Sequence, residues 1–380
     1  MTTTPAATRR ITIIGTGLIG GSIGLALKAA GLQGVTIVGH DRDRANANQA
    51  ERLGAIDRAE HNLPRAVAGA GMVIIATPVL AVRDVLEQIA PDLAAGAIVT
   101  DTASTKAHVM QWAQELLPEG VNFIGGHPMA GKETMGIQHA EAGLFQGKAY
   151  CICPAVTAAE PAVKSVLGLV RLLGSEPLFM DAEEHDQYAA AVSHLPLMVS
   201  AGLFTLLRSS PAWEDLGAMA SSGFHDVTRL ASGDPAMSHG IWRTNREAVI
   251  HWLERMAAEL LRFRDLLKDA QDEALLEIFA KAQIERDTLL AQPPRRAPPQ
   301  TADPEARQTV MSMLIGGMMA EQLRKAQKLP ELIREANREP AAGGKRKLSL
   351  AERIAEDVRR DLEKMEQKRS GKQEPGGREK

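Results

Sequence analysis

Over residues 9–155, short runs of β-branched and apolar residues alternate with stretches whose apolar positions recur every three or four residues. Residues 11–14, 35–39, 72–76, 97–100 and 123–125 read as strands, and 18–27, a stretch ending near Gly54, and 80–89 read as helices. The strand runs are nearly continuous in apolar character, as expected where both faces of a parallel sheet are covered. This rhythm predicts an α/β domain over 9–155 with a doubly wound parallel sheet, whose ligands lie beyond the carboxyl ends of the strands. From Pro161 onward the pattern becomes helical: 161–173, 183–207, 213–230, 236–267 and 272–290 carry few strand signals. Residues 156–292 are therefore expected to form an all-α second domain. Its long apolar helices exceed what one small domain can bury, so a homodimer through this domain is expected. A Pro/Arg-rich break over 291–299 ends the pattern, and 293–380 reads as a charged tail, partly helical or disordered.

The junction of the first strand and helix, ITIIGTGLIGGSIGLAL, carries the spacing of a dinucleotide-binding turn. Gly15 reverses the chain, Gly17 leaves room for a pyrophosphate against the backbone, and Gly20 lets the helix sit close to the strand. The amides of Leu18 and Ile19 then open a helix whose N-terminus attracts phosphate. The second strand ends at Asp41, placed to accept the ribose hydroxyls of an adenosine and to repel a 2′-phosphate, which favours NAD over NADP. Arg42 and Arg44 follow closely and offer a phosphate the opposite preference. Thr77-Pro78 closes the third strand and borders the same crevice. The first domain thus reads as a Rossmann domain.

Charge narrows the classes of partner. The chain carries 44 Lys and Arg against 47 Asp and Glu, and no global field argues for nucleic acid or a membrane surface. The tail holds a KRK run but mixed charge throughout. No apolar run is long enough, uninterrupted, to suggest a membrane span, and the first ten residues are polar, so a cytoplasmic protein is expected. The two cysteines, Cys151 and Cys153, are spaced to share one face of a short strand. No further cysteine completes a zinc site, and no metal is expected.

Polar segments fall at the positions where a dinucleotide-dependent site needs them. DTASTK, from Asp101 to Lys106, and GGHPMAGKE, from Gly125 to Glu133, each follow a strand, so His127 is expected in a glycine-rich loop at the strand ends. Ser193-His194-Leu-Pro and SSGFHDVTR, ending at Arg229, come from the helical half. A neutral imidazole at His127 can take a hydroxyl proton while a hydride leaves the same carbon.

Taken in order, GTGLIGGSIGLAL, ATPV, DTASTK, GGHPMAGKE, SHLP and SSGFHDVTRLASGDP resemble the prephenate/arogenate dehydrogenase family over about residues 9 to 290. The resemblance implies NAD-dependent oxidative decarboxylation of prephenate to 4-hydroxyphenylpyruvate and CO2 in tyrosine biosynthesis. Arogenate, giving tyrosine directly, is the alternative substrate, and a non-catalytic NAD-sensing module is a more remote alternative. It implies that His127 hydrogen-bonds the ring hydroxyl and that Ser104 orients this histidine. Arg229 would bind a substrate carboxylate with Asp226 supporting it from one turn earlier. Glu133 would help gate the pocket, and His194 would lie in the substrate site. Three positions depart from the family pattern: Leu197 stands where the second histidine of H-L-P-H is found, Ser238 where prephenate-using members often carry tryptophan, and His225 where an arginine is usual. SHLP followed by an aliphatic residue, and the SSGF form, resemble arogenate-preferring members.

Overall fold

The computed structural model describes residues 9–292. The tail, with its basic run and Met-rich stretch, lies outside the described residues. In chain order come β1 (Arg9–Ile14), α1 (Leu18–Ala29), β2 (Val35–His40), α2 (Arg44–Arg52), β3 (Arg58–Ala59), α3 (Leu63–Val67), β4 (Met72–Ile75) and α4 (Val79–Ile89). Then follow β5 (Ile98–Asp101), α5 (Ala107–Leu116), β6 (Asn122–Pro128), β7 (Ala149–Pro154), α6 (Glu160–Leu172) and β8 (Glu176–Phe179). The eight strands form one sheet in the order β3-β2-β1-β4-β5-β6-β7-β8. The order reverses between β1 and β4, and the crevice at that switch point is where the glycine turn and Thr77-Pro78 meet.

Two features of the sheet differ from the pattern reading. The first six strands are parallel, but β7 pairs antiparallel with β6, and β8 is parallel to β7. Between β6 and β7 the chain forms only a short 3₁₀ turn, Ile137–His139. With no helical crossover to carry it back, the chain returns beside its own strand. The sheet also continues past residue 155: α6 and β8, which the helical rhythm assigned to the second domain, complete the sheet layer. The edge strand β8 (EPLF) is too short to show a period, and no residue in it is fully buried.

Both faces of the sheet are covered. Ile11, Ile13 and Ile74 pack with Ile23 and Leu27 of α1 and with Val166 and Leu169 of α6. Val73, Ile75 and Val99, pointing the other way, pack with Val82 and Leu86 of α4 and Val109 of α5. Each such fully buried aliphatic side chain contributes about 1.5–3 kcal/mol from removal of its surface from water.

The helical half begins with α7 (Ala182–Ala189), capped by Asp181, whose carboxylate accepts from the Glu184 amide at 2.6 Å. The helix continues through a π turn, Ala190–His194, into α8 (Leu195–Arg208). The ladder widens just before Pro196, which supplies no N–H to the preceding turn. Two short helices follow, α9 (Trp213–Ala218) and α10 (Ser222–Thr228), then α11 (Pro235–Thr244), α12 (Arg246–Lys268) and α13 (Asp272–Ala291). α11 packs on α4 so closely that a Cβ at Gly240 would lie 2.6 Å from a Val79 methyl.

Val192, Leu206, Leu260, Leu276, Phe279 and Ile284 are exposed, and α13 buries no residue. Such apolar area on a single chain marks an interaction surface. The segment Ala182–Arg208, unbroken through the π turn, is long and apolar enough to cross a membrane by length and composition, which the sequence reading did not single out. Its inner side holds His185, Asp186 and His194, all buried and tied to the sheet and to α12 by the bonds described next.

Candidate active site

The glycine turn is built as its spacing requires. Gly15 adopts a φ of +91°, its amide donates to the His40 carbonyl at 2.8 Å, and a Cβ on it would strike the Ala76 backbone. A Cβ at Gly20 would lie 1.9 Å from the Gly15 carbonyl oxygen, so α1 sits directly on the turn. At Gly17, by contrast, nothing lies within 4 Å of a Cβ position, and no side chain caps the helix that begins at Leu18. The first amides of α1, Leu18 and Ile19 among them, therefore face an open cradle, the setting in which a helix terminus binds phosphate.

Asp41 is half-buried and held to this turn: one carboxylate oxygen accepts from the Thr16 amide at 2.8 Å and from the Thr16 hydroxyl at 3.2 Å, the other from the Asp43 amide at 2.9 Å. Thr16, which pattern reading passed over, is the residue that fixes the acid. Arg42 and Arg44 are exposed beside it. Across the crevice the Thr77 hydroxyl is buried and has no hydrogen-bond partner, and Pro78 precedes α4. An open cradle, a positioned acid and an orphaned hydroxyl suit a dinucleotide with a free adenosine ribose.

His127 lies within β6, opposite Cys151 of β7, and not in a loop. The two glycines before it continue the strand because close packing requires them there. A Cβ at Gly126 would meet the Asp101 carbonyl at 2.5 Å. His127 is 7% exposed, and its Nδ1 lies 2.8 Å from Nε2 of His185. His185 in turn places its own Nδ1 2.8 Å from an Asp186 carboxylate oxygen. Ser104 stands half-buried after β5, and no hydrogen bond joins its side chain to His127. The contact on His127 Nδ1 is made by His185 in this structure, and the loop from β5 to α5 is tied to α7.

That loop is drawn by Asp186, which accepts from the Lys106 amide at 2.7 Å and the Ala107 amide at 2.9 Å and so caps α5 from a distant helix. Beneath it Lys106, wholly buried, forms an ion pair with Asp101. Asp101 also accepts from the amides of Ala103 at 2.9 Å and Gly126 at 3.1 Å, so its oxygens are filled. Asn245, at the start of α12, donates to the Asp186 carbonyl at 2.7 Å and stands 3.2 Å from His194 Nδ1. Thr105 and Thr244 pair their hydroxyls at 2.7 Å across the same junction.

Electrostatics follows from this burial. Desolvation, with added repulsion from His185, Lys106 and His194, holds the His127 imidazole well below the usual histidine range. His194, also buried, is pushed down to about 4 by desolvation against an opposing pull from Asp186, and its Nε2 has no hydrogen-bond partner. Both rings are therefore neutral near pH 7. Burial raises the Cys151 thiol to about 11 and carries that of Cys153 further up, so both are inert, free thiols.

Arg229 sits just after α10 and pairs with Glu133 from the β6–β7 loop. The expected support from Asp226 is not formed: Asp226 is exposed and has no partner among the described residues. Glu133, from a different element, holds the Arg229 guanidinium instead. The Ser238 hydroxyl bonds within its own helix, to the Asp234 carbonyl at 3.0 Å, Leu197 is half-buried on α8, and His225 is exposed. Among the described residues no cluster of His, Cys, Asp and Glu could hold a metal ion. Sequence reading thus missed Thr16, His185, Asp186 and Asn245. The one local signal was the His185-Asp186 dipeptide, one turn ahead of the apolar run that leads into α8.

Comparison with known proteins bears on these residues. Residues 23–177 match the family described as the nucleotide-binding domain of prephenate dehydrogenase, and residues 181–281 match its dimerization domain. The first match begins beyond the glycine turn, so the reading of that turn stands on its own geometry. The prephenate dehydrogenase of Bacillus subtilis is 34% identical over 73% of this chain and 76% of its own length. Among solved structures, prephenate dehydrogenase from A. aeolicus in complex with hydroxyphenyl propionate and NAD+ is 28% identical. It covers 75% of this chain and 100% of its own, with a TM-score of 0.69. Synechocystis arogenate dehydrogenase is 29% identical over 73% of this chain and 99% of its own, with a TM-score of 0.63.

The two turn glycines separate packing from binding. Gly20→Ala should destabilise the fold by about 1–3 kcal/mol through overpacking against the Gly15 carbonyl, seen as a lower denaturation midpoint. Gly17→Ala should leave that midpoint nearly unchanged and weaken dinucleotide binding measured by calorimetry, because its Cβ enters the open cradle.

Proposed function

The chain belongs to the prephenate dehydrogenase family, and from that premise we propose that it catalyses the oxidative decarboxylation of prephenate to 4-hydroxyphenylpyruvate and CO2 in tyrosine biosynthesis, with NAD as cofactor. The observation that carries this reading is a neutral, buried histidine, His127, on β6, with one ring nitrogen anchored by His185 and the other without a partner among the described residues.

NAD would be held by the cradle over Gly17, with Asp41 at the adenosine ribose and Thr77 and Pro78 along the crevice. When bound, it supplies the hydride acceptor. His127 takes the ring hydroxyl proton at Nε2 as the carbinol C–H bonding pair departs and the hydroxyl carbon becomes a carbonyl. The bond to the departing carboxylate then breaks, its electron pair enters the ring, and the oxygen recovers a proton as the ring becomes aromatic. Aromatisation supplies much of the driving force, so a weak base in fixed alignment is sufficient. Arg229 offers its guanidinium to a substrate carboxylate, which must displace Glu133 from it. His194, neutral and with an unpartnered Nε2, is available to a polar group of the substrate. Ser104, half-buried in the loop after β5, would line the same space, and Asp226 is an exposed carboxylate. Arogenate remains the second reading, supported by Leu197 in place of a second histidine and by the likeness to an arogenate dehydrogenase. The exposed apolar faces of α8, α12 and α13, in a segment matching a dimerization domain, support a homodimer.

His127→Asn should lower kcat about 10²-fold or more with a smaller change in KM, while Arg229→Gln should act mainly through KM. The base is active when unprotonated, and burial lowers its pKa. The rate in the parent enzyme should therefore hold through pH 6.5, fall only at more acidic pH, and lose that acidic limb in His127→Asn. NADH formation with prephenate and with arogenate, followed by absorbance, measures all of these and decides the substrate.

Asp41→Ala should narrow the preference for NAD over NADP in kcat/KM, since it removes both the ribose acceptor and the charge facing a 2′-phosphate. A preference for NADP in the parent enzyme would transfer the role to Arg42 and Arg44.

Phe279→Asp, on the exposed face of α13, should shift the chain from dimer toward monomer in light scattering. A chain ending at Gln292 should remain dimeric.

A further inference from the structure

The titratable groups around His127 form an ordered chain whose hydrogen positions can be deduced. Asp186 caps the first amides of α5, so its carboxylate is ionised and can only accept. The hydrogen between it and His185 must therefore reside on His185 Nδ1, 2.8 Å away. In the neutral ring that leaves His185 Nε2 bare, as an acceptor, and it lies 2.8 Å from His127 Nδ1. A bond between those two nitrogens needs one hydrogen, and only His127 Nδ1 can supply it. The neutral His127 ring then has its lone pair on Nε2, the nitrogen without a partner among the described residues.

We infer that His185 is a positioning residue for the reaction: together with Asp186 it selects the His127 tautomer in which Nε2 is a base. This rests on the reading of His127 as the proton acceptor. Without such a partner the tautomer would be unspecified, and a ring protonated at Nε2 can donate to the substrate hydroxyl but cannot take its proton. The arrangement acts again after the proton arrives. The imidazolium formed on His127 keeps its Nδ1–H directed at His185 Nε2, and the Asp186 carboxylate lies one ring further in, facing the new charge. The rings stand at 66° to one another, with centroids 5.0 Å apart, so His185 acts edge-on through its nitrogen and not by stacking. His185 is 1% exposed and sits in the rigid α7 segment that caps α5, which fixes its orientation independently of substrate.

The test uses the full chain with NAD+ bound and 15N-labelled histidine. The His127 signals are identified by their loss in His127→Asn. At neutral pH, Nδ1 of His127 is expected to be protonated and Nε2 bare, and His185 is expected to show the same pattern. A His127 ring protonated at Nε2, or a doubly protonated His185, would overturn the inference without reference to activity. Two variants then separate positioning from packing. His185→Gln can place its amide oxygen where Nε2 stood and still accept from His127, whereas His185→Leu fills the space with no acceptor. The expected order of kcat is parent, then Gln, then Leu, with Leu at least tenfold below Gln and KM for both within about threefold of the parent. Equal kcat for the two variants would refute the positioning role. If His127→Asn itself retained near-parent kcat, the failure would lie in the choice of base and not in the tautomer.

Discussion

A buried carboxylate is stable only when its oxygens are filled by donors, and Asp186 fills them with groups from separate parts of the chain. Two amides come from the start of α5, in the sheet domain, and one ring nitrogen comes from the adjacent His185. Its backbone carbonyl receives Asn245, from the beginning of α12. Through these bonds the helical half, the loop after β5 and the imidazole of His127 are placed relative to one another. Loss of this carboxylate would leave the α5 terminus uncapped and His185 free to turn. The Lys106–Asp101 pair lies directly below and depends on the same loop.

Under the proposed mechanism the cluster reconciles two demands that usually conflict. Proton acceptance requires a neutral imidazole, which burial favours, while the imidazolium that follows requires nearby negative charge. Here Lys106 is matched by Asp101, so the pair adds little net charge. Asp186 remains as the uncompensated anion, separated from His127 by one ring. His194 stays neutral through its own burial and holds an unpaired Nε2 in the same region. The price of such an arrangement is a dense polar core between the two halves, satisfied by Thr105, Thr244 and Asn245. Arg229 and Glu133 differ from this core in kind. Both are substantially exposed, so their pairing is weak and exchangeable.

The continuous helix from Ala182 to Arg208 illustrates how composition and context diverge. An 18-residue stretch of it has a mean hydropathy of 1.7, which would suit a bilayer, yet its first turns bury His185 and Asp186 and its outward apolar positions lie in the segment matching a dimerization domain. A helix with buried polar contacts on one side and exposed apolar positions on the other acquires high hydropathy over part of its length.

The glycine turn, the strand that leads up to Gly125 and the change from α/β to helical rhythm were legible in the sequence because each is encoded within a few consecutive residues. Gly15, Gly17 and Gly20 act through local backbone geometry, and Asp41 follows its strand at a spacing set by one βαβ unit. The partners of His127 and Arg229 were not legible. His185 lies 58 residues from His127, and Asp186 lies 79 and 80 residues from the amides it caps. No periodicity carries information over that distance. Ser104 and Asp226 came from the family resemblance, whereas the contacts that His127 and Arg229 make in this structure are to His185 and Glu133, which folding brings close. The extension of the sheet to β8 was likewise hidden, because a four-residue edge strand shows no period of its own. The sequence by itself determined which backbone turns and which chemical groups this protein possesses. Only the tertiary structure decided which of those groups share a proton, because a hydrogen bond depends on ångström-scale approach between elements that the chain order keeps far apart.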